Sequence, residues 1–220
     1  MREMAETGPA KAPQAKGPGR PRDPAVDTAI LRATSRRLAQ DGYSRMTIGD
    51  IASDAGVTRP TVYRRWASKY DLVVDALDFN FREQREQDPV GPIEQLAPAE
   101  RLKVALHHAS PFGATGRGIM IIGNVLAESK HNPNLLELAR THGIAPRTQL
   151  LTDTLRHLHE QGALRPGLDL DVIADMVIGS YYAAYLRTGA QDPDLPGRTI
   201  DTLWPLIARQ ATAEDPVTLD

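Results

Sequence analysis

The chain contains no cysteine, which excludes disulfides and thiolate metal sites alike. Aromatic residues make up only 5% of it against an apolar share of 41%. A core must therefore be built from Ala, Leu, Val and Ile, which favours helices. No run of about eighteen apolar residues occurs, so no membrane-spanning helix is expected. The first residues lack an apolar signal core, so a cytoplasmic protein with no membrane partner is the default. Metal-ligand spacing is missing too. His107 and His108, like His157 and His159, are too close in sequence to share one helix face, and no carboxylate stands at ligand spacing beside them. Ser, His and Asp are scattered without a nucleophile motif. The glycines between 113 and 118 lack the preceding strand and following Lys-Ser of a phosphate-cradling loop. Neither catalysis, nor a metal, nor a cofactor is expected.

Charge is low in sum but not in distribution. The net of −2 over 220 residues conceals 13 Lys+Arg against 7 Asp+Glu in residues 1–70, a net of +6. Residues 71–220 hold 13 against 21, a net of −8. A basic front and an acidic rear suggest that only the front meets a polyanion.

Periodicity divides the chain into four parts. Residues 1–22 are rich in Pro, Gly, Ala and Lys and read as a disordered basic arm. Arg20 and Arg22, either side of Pro21, suit a DNA minor groove, although a solubilising tail fits equally well. Residues 23–86 read as a helical DNA-binding domain. A breaker cluster at 87–92 precedes a second helical domain over 93–212, and residues 213–220 form a tail. Helical spacing in the second domain marks segments at 100–108, 118–129 (weakened by Gly123), 134–142, 146–161, 170–187 and 198–210. No strand alternation and no internal repeat is visible, so the predicted fold is all-α.

The densest information lies between Thr47 and Leu72. Asp23 and Pro24 open a first helix that Gly42 stops. Thr47 with Asp50 forms an acidic version of a capping box, and Ser68 with Asp71 repeats it. Between these caps Gly56 offers the positive φ of a tight turn, Val57 fills the space between two helices, and Thr58 caps the second. That helix exposes Thr58, Arg59, Thr61, Tyr63 and Arg64 at the end from which base edges are reached, while Val62 and Trp66 face inward. Lys69 and Thr47, at two further helix starts, suit phosphates. A solvated helix explains a few exposed arginines but not two caps, a turn glycine and an interhelix valine at this spacing.

The run Gly56-Val-Thr-Arg-Pro-Thr-Val-Tyr-Arg-Arg-Trp-Ala-Ser-Lys69-Tyr-Asp-Leu72 resembles the signature of TetR-family transcriptional regulators. The match covers roughly residues 24–80. It departs from the family's common form at Pro60, where a small residue is usual, and at Trp66, where Phe is. The resemblance implies an N-terminal three-helix helix-turn-helix DNA-binding domain, a C-terminal helical ligand-binding and dimerisation domain, and a homodimer. It further implies, usually, a repressor that a small molecule releases from double-stranded operator DNA by shifting the two reading heads. By position it places Thr58, Arg59, Thr61, Tyr63 and Arg64 in the groove and Thr47, Tyr63 and Lys69 on phosphates.

Residues 170–187 are apolar nearly all round, so that helix must be covered on more than one face. With the 198–210 helix it suits a four-helix dimer interface including Ile178, Tyr182, Leu203 and Ile207; a central core helix in a monomer is the rival. Candidates for an effector pocket are His107, His108, Phe112, Met120, Asn124, Tyr181, Tyr185 and Trp204, which carry polar tips or soft atoms on apolar bodies. The effector itself is not legible. The alternative to a DNA-binding regulator is a helical enzyme or scaffold whose basic front binds no DNA.

Overall fold

The computed structural model describes residues 23–113 and 116–209. Arg20, Arg22 and the 213–220 tail lie outside them.

Asp23 caps α1 (Pro24–Gln40) by accepting the amide of Ala25 at 3.0 Å, and Pro24 takes the first helical position, where its missing N–H is no loss. Gly42, at φ +77°, ends α1 and opens an extra turn, α2 (Gly42–Arg45), too short for periodicity to reveal. Then come α3 (Ile48–Asp54) and α4 (Arg59–Tyr63), joined through Gly56 at φ +67°. The fifth helix, α5 (Lys69–Gln87), is unbroken. Both acidic caps form. The Thr47 and Ser68 hydroxyls accept the amides of Asp50 and Asp71 at 3.2 and 3.1 Å, and donate to the same residues' carboxylates at 2.6 and 2.8 Å.

The remainder is helical as expected, with three adjustments. The α6 (Pro98–His108) and α7 (Gly118–Ser129) helices follow, and α7 runs straight through Gly123. The segments anticipated at 134–142 and 146–161 are one run: α8 (Pro133–Ala139), a wide π turn over Arg140–Ile144, and α9 (Ala145–Glu160). Pro146 has no N–H for an α-helical bond to His142, and its ring crowds that carbonyl; a widened turn relieves both. Finally α10 (Leu170–Thr188) ends at Gly189, φ +71°, and α11 (Leu195–Ile207) starts earlier than anticipated and stops before 210.

The apolar core does not divide where the sequence suggested. One cluster joins Ile30, Ile51, Val62 and Trp66 of the head and Leu72 and Val73 of α5 with Ile121 and Val125 of α7 and Leu135 and Leu138 of α8. The other joins α6, α9, α10 and α11 around Leu102, Leu106, Leu151, Leu155 and Tyr181. The head is thus finished by residues from beyond the 87–92 breaker. Polar contacts reinforce this junction. The Asn124 amide of α7 donates to the carbonyls of Leu38 and Ala39 at 3.0 and 2.9 Å, satisfying the last turn of α1. Glu128 accepts the amide of Ser44 at 2.9 Å and its hydroxyl as well.

Leu138→Ala tests this shared core. Leu138 is 2% exposed, so truncation should cost about 2–5 kcal/mol. In a Trp204→Phe background the loss should appear as a lower melting temperature reported by Trp66 fluorescence, although Leu138 belongs to the second sequence domain. An unchanged Trp66 transition would show that the head folds without α8.

Candidate nucleic-acid interface and ligand cavities

Val62 is fully buried and Trp66 is 5% exposed, so the inner face of α4 is committed to the core. Trp66 also donates its indole N–H to Asp75 at 2.7 Å, a bond that Phe at this position lacks. The opposite face carries Thr58, Arg59, Pro60, Tyr63 and Arg64, all exposed. Thr58, Thr61 and Arg64 lie one turn apart and form a chain: the two hydroxyls are 3.0 Å apart, and the Arg64 guanidinium donates to Thr61 at 3.2 Å. Thr58 thus caps by backbone position while its hydroxyl turns to Thr61. Arg59 lies across the start of α3, where a Cβ on Gly49 would collide with its guanidinium. Gly49 thereby lets an arginine lie flat against α3.

Ion pairing separates the arginines by role. Arg37 bonds Asp54 at 2.7 and 2.8 Å and Asp41 at 3.2 Å; those bonds raise its pKa and lower that of Asp54. Arg65 pairs with Asp27 and Arg32 with Glu83. These three hold the head together. Arg59 and Arg64 have no carboxylate partner among the described residues, so their charge is left facing outward.

Lys69, anticipated on a phosphate, is engaged within the head in the absence of DNA. Its ammonium donates to the carbonyls of Tyr43 at 2.7 Å and Met46 at 3.2 Å and sits 4.4 Å from the Tyr43 ring centroid. Burial lowers its pKa. It therefore closes the C-terminal end of α2 rather than reaching out as a free cation. Thr47 remains exposed beside it, its hydroxyl engaged by Asp50.

The second cluster encloses several cavities. A cleft of about 350 Å³ between α5, α6 and α9 is lined by Phe81, Gln84, Arg85, His108, Arg147 and Leu150 among others. Smaller spaces of about 150 and 40 Å³ touch His107 with Tyr181, and Phe112, respectively. An open groove of about 630 Å³ runs past Lys103, His107 and Arg198.

Of the anticipated pocket residues, Phe112, Tyr181 and Tyr185 do come together, with ring centroids 6.4 and 5.6 Å apart on the two sides of Phe112. Tyr181 is spent on the Leu106 carbonyl at 2.8 Å, and burial raises its pKa. His107 bonds Asp88 at 2.7 Å. Met120, Tyr185 and Trp204 border none of these cavities, and Asn124 serves the junction with α1. Of these candidates the 350 Å³ cleft is lined by His108 alone. Sequence patterning does not point to its other residues, because Phe81, Gln84 and Arg85 belong to a helix that reads as part of the DNA-binding domain. Arg147 carries a readable signal: it stands four residues before Leu151 on the stripe Leu151, Leu155, Leu158, where an apolar residue is expected.

Of the anticipated dimer residues, Ile207 is 4% exposed and belongs to the protomer's own core. Ile178, Tyr182 and Leu203 are half-buried against the same cluster. The face left bare carries Val172 (50% exposed), Met176 (60%) and Leu186 (84%) of α10 with Leu206 (63%) of α11.

Comparison with known proteins decides among the readings. Residues 30–76 match the model for bacterial regulatory proteins of the tetR family, and residues 99–203 match that for the tetracyclin repressor-like C-terminal domain. The chain belongs to the TetR family of transcriptional regulators. It is similar to the HTH-type transcriptional regulator YdeS of Bacillus subtilis, 26% identical over 80% of this chain and 86% of that one. An HTH-type regulator of Mycobacterium tuberculosis is 28% identical over 86% of this chain and 89% of its own length. Among solved structures, a Saccharomonospora viridis regulator in complex with choline aligns with TM-score 0.62 and 22% identity, over 86% of this chain and all of that one. FadR of B. subtilis in complex with stearoyl-CoA aligns with TM-score 0.60 and 21% identity, over 80% and 96%. These neighbours show the all-helical TetR fold, and the family makes this chain a DNA-binding regulator; the enzyme or scaffold alternative is not favoured. Among the described residues no helix is long and apolar enough to cross a membrane, and no group of His, Asp or Glu is placed to hold a metal.

Substitutions separate the two kinds of cation. Against DNA selected from a random pool, Arg59→Ala should cost about 1–3 kcal/mol and relax sequence preference. Arg64→Ala should reduce the salt slope of binding by about one. Lys69→Met should lower thermal stability and leave that slope unchanged; a flattened slope would restore Lys69 to the phosphate backbone.

Proposed function

We propose that this TetR-family protein is a cytoplasmic repressor that binds a palindromic operator as a homodimer and releases it when a small molecule occupies the cleft between α5, α6 and α9. The observation that carries this reading is that one helix serves both ends. The N-terminal half of α5 is buried in the core of the reading head at Leu72, Val73 and Ala76, and its C-terminal half lines the cleft at Phe81, Gln84 and Arg85. A ligand that prefers one position of α5 therefore favours one position of the head. In this reading Thr58, Arg59, Thr61, Tyr63 and Arg64 meet base edges and phosphates, with Thr47 on the adjoining backbone.

The bare face of α10 supports dimerisation. Val172, Met176, Gly179, Ala183 and Leu186 follow helical spacing along one side, opposite the buried Ala174, Val177, Tyr181 and Ala184. Such an apolar stripe, continued by Leu206, suits a symmetric contact with the same stripe of a second copy. Twofold symmetry then sets two α4 helices on one side of the duplex, about 34–36 Å apart or a multiple of it.

Met176→Glu combined with Leu206→Glu places two like charges on each side of this contact. Light scattering should then give the monomer mass while circular dichroism stays helical, and binding to the selected palindrome should fall by at least roughly tenfold. A dimer that persists in the double variant would put the interface elsewhere. Selected sequences without inverted symmetry would remove the paired-head reading.

A further inference from the structure

Phe81 of α5 is flanked by two guanidiniums. The Cζ atoms of Arg85 and Arg147 each lie 5.7 Å from its ring centroid. All three side chains line the 350 Å³ cleft. In the head, Arg32, Arg37 and Arg65 are each matched by a carboxylate. Here, among the described residues, neither cation is within ion-pair distance of one. Arg147, partly buried, donates to the Gly143 carbonyl and to Gln84 Oε1 at 3.2 Å, both neutral. Burial lowers the Arg147 pKa, as expected for a cation held without a counter-charge.

The surroundings sharpen the chemistry. Asp153 is the lining's one carboxylate, and it is engaged by Arg156 at 2.6 Å and Gln149 at 2.9 Å. His108 also lines the cleft, and desolvation lowers its imidazole pKa, so it adds no charge near neutrality. With Asp153 met by Arg156, the lining offers Arg85 and Arg147 as two cations without a carboxylate of their own. Val90, Leu150, Pro146 and the Phe81 ring supply apolar walls. The Gly143 carbonyl that Arg147 holds belongs to the π turn.

We propose that the cleft binds a small organic monocarboxylate with an apolar or aromatic body, its carboxylate on Arg147, its body against Phe81 and Leu150, and Arg85 at the mouth. The proposal rests on the effector-regulated reading above and names the ligand chemistry that reading leaves open. A carboxylate on an apolar body meets both the guanidiniums and the Phe81, Val90 and Leu150 walls, whereas inorganic phosphate has no apolar body to set against them. Choline, the ligand in the S. viridis neighbour, has the wrong sign for this lining.

Calorimetry on the full chain without DNA tests the site. The probes are phenylacetate and decanoate, with phenylacetamide, inorganic phosphate and choline as controls. At least one carboxylate should bind, and all three controls should bind roughly tenfold more weakly or not at all. Arg147→Met should weaken the carboxylate roughly 10- to 100-fold. Arg147→Lys should recover part of that loss, which a purely structural role would not do. Arg85→Met, at an exposed position, should weaken binding less and flatten its salt dependence; this variant probes the site even where an Arg147 variant folds poorly. Failure of both carboxylates to bind, an amide as good as its acid, tighter phosphate binding, or unchanged affinity in both Met variants would each overturn the proposal. DNA release is measured separately. A carboxylate that binds through Arg147 but leaves the DNA occupied supports the site and sinks the release mechanism. Intact DNA binding with no carboxylate affinity sinks the site alone.

Discussion

The structure depends on the continuity of α5. Its 19 residues span about 28 Å at 1.5 Å per residue, and no glycine or proline interrupts them. Ser68 starts the helix by capping the Asp71 amide, and Leu72, Val73, Ala76 and Leu77 then seal it into the head. Past that point the same helix changes surroundings without changing direction, and Phe81, Gln84 and Arg85 face a cleft instead of a core. Four buried apolar side chains near one end, each contributing up to a few kcal/mol, make helix and head one rigid body. Whatever displaces the far end must displace the head with it.

Charge follows the same division of labour. In the head, carboxylates are placed against the arginines that hold helices together, and withheld from Arg59 and Arg64 on the outer face of α4. A paired arginine has little attraction left for a polyanion; an unpaired one on the surface costs little while water screens it and gains when phosphate replaces the water. The overall balance of +6 in residues 1–70 is therefore a poor guide to the reading surface. Which arginines lack partners matters more than how many there are. Arg85 and Arg147 likewise stand without a carboxylate, and they share the Phe81 ring in one cleft.

Local chemistry decides which features are legible in the sequence. The caps at Thr47 and Ser68, the turn at Gly56 and the inward Val62 and Trp66 all follow from short-range rules and stand in the structure as read. The short helix α2 and the π turn at Arg140–Ile144 escape because each is a single turn, below the length over which periodicity accumulates. The direction of the Lys69 side chain is not legible, because spacing fixes where the backbone lies, not which way a four-carbon side chain turns; Tyr43 and Met46 carbonyls, more than twenty residues earlier, hold it. The burial of Ile207 escapes for a related reason, since an amphipathic helix shows one apolar stripe without saying whether its own core or a second chain covers it.

The head is held from two sides, and the two holds differ in kind. On the α5 side it is held by buried apolar surface. On the α7 side Asn124 makes two hydrogen bonds to the end of α1, and Glu128 makes two to Ser44, beside the apolar contacts of Ile121 and Val125. Each hydrogen bond is worth about 0.5–1.5 kcal/mol net, and more where a charge takes part. Coupling between a ligand site and a distant site typically amounts to about 1–3 kcal/mol. That is enough to reset one or two bonds at the α7 junction and too little to extract Leu72 and Val73 from the core. A displacement of α5 by a ligand in the cleft would accordingly keep helix and head together and fall first on the hydrogen bonds where α7 meets α1, over the shared apolar core that Ile121 and Val125 complete.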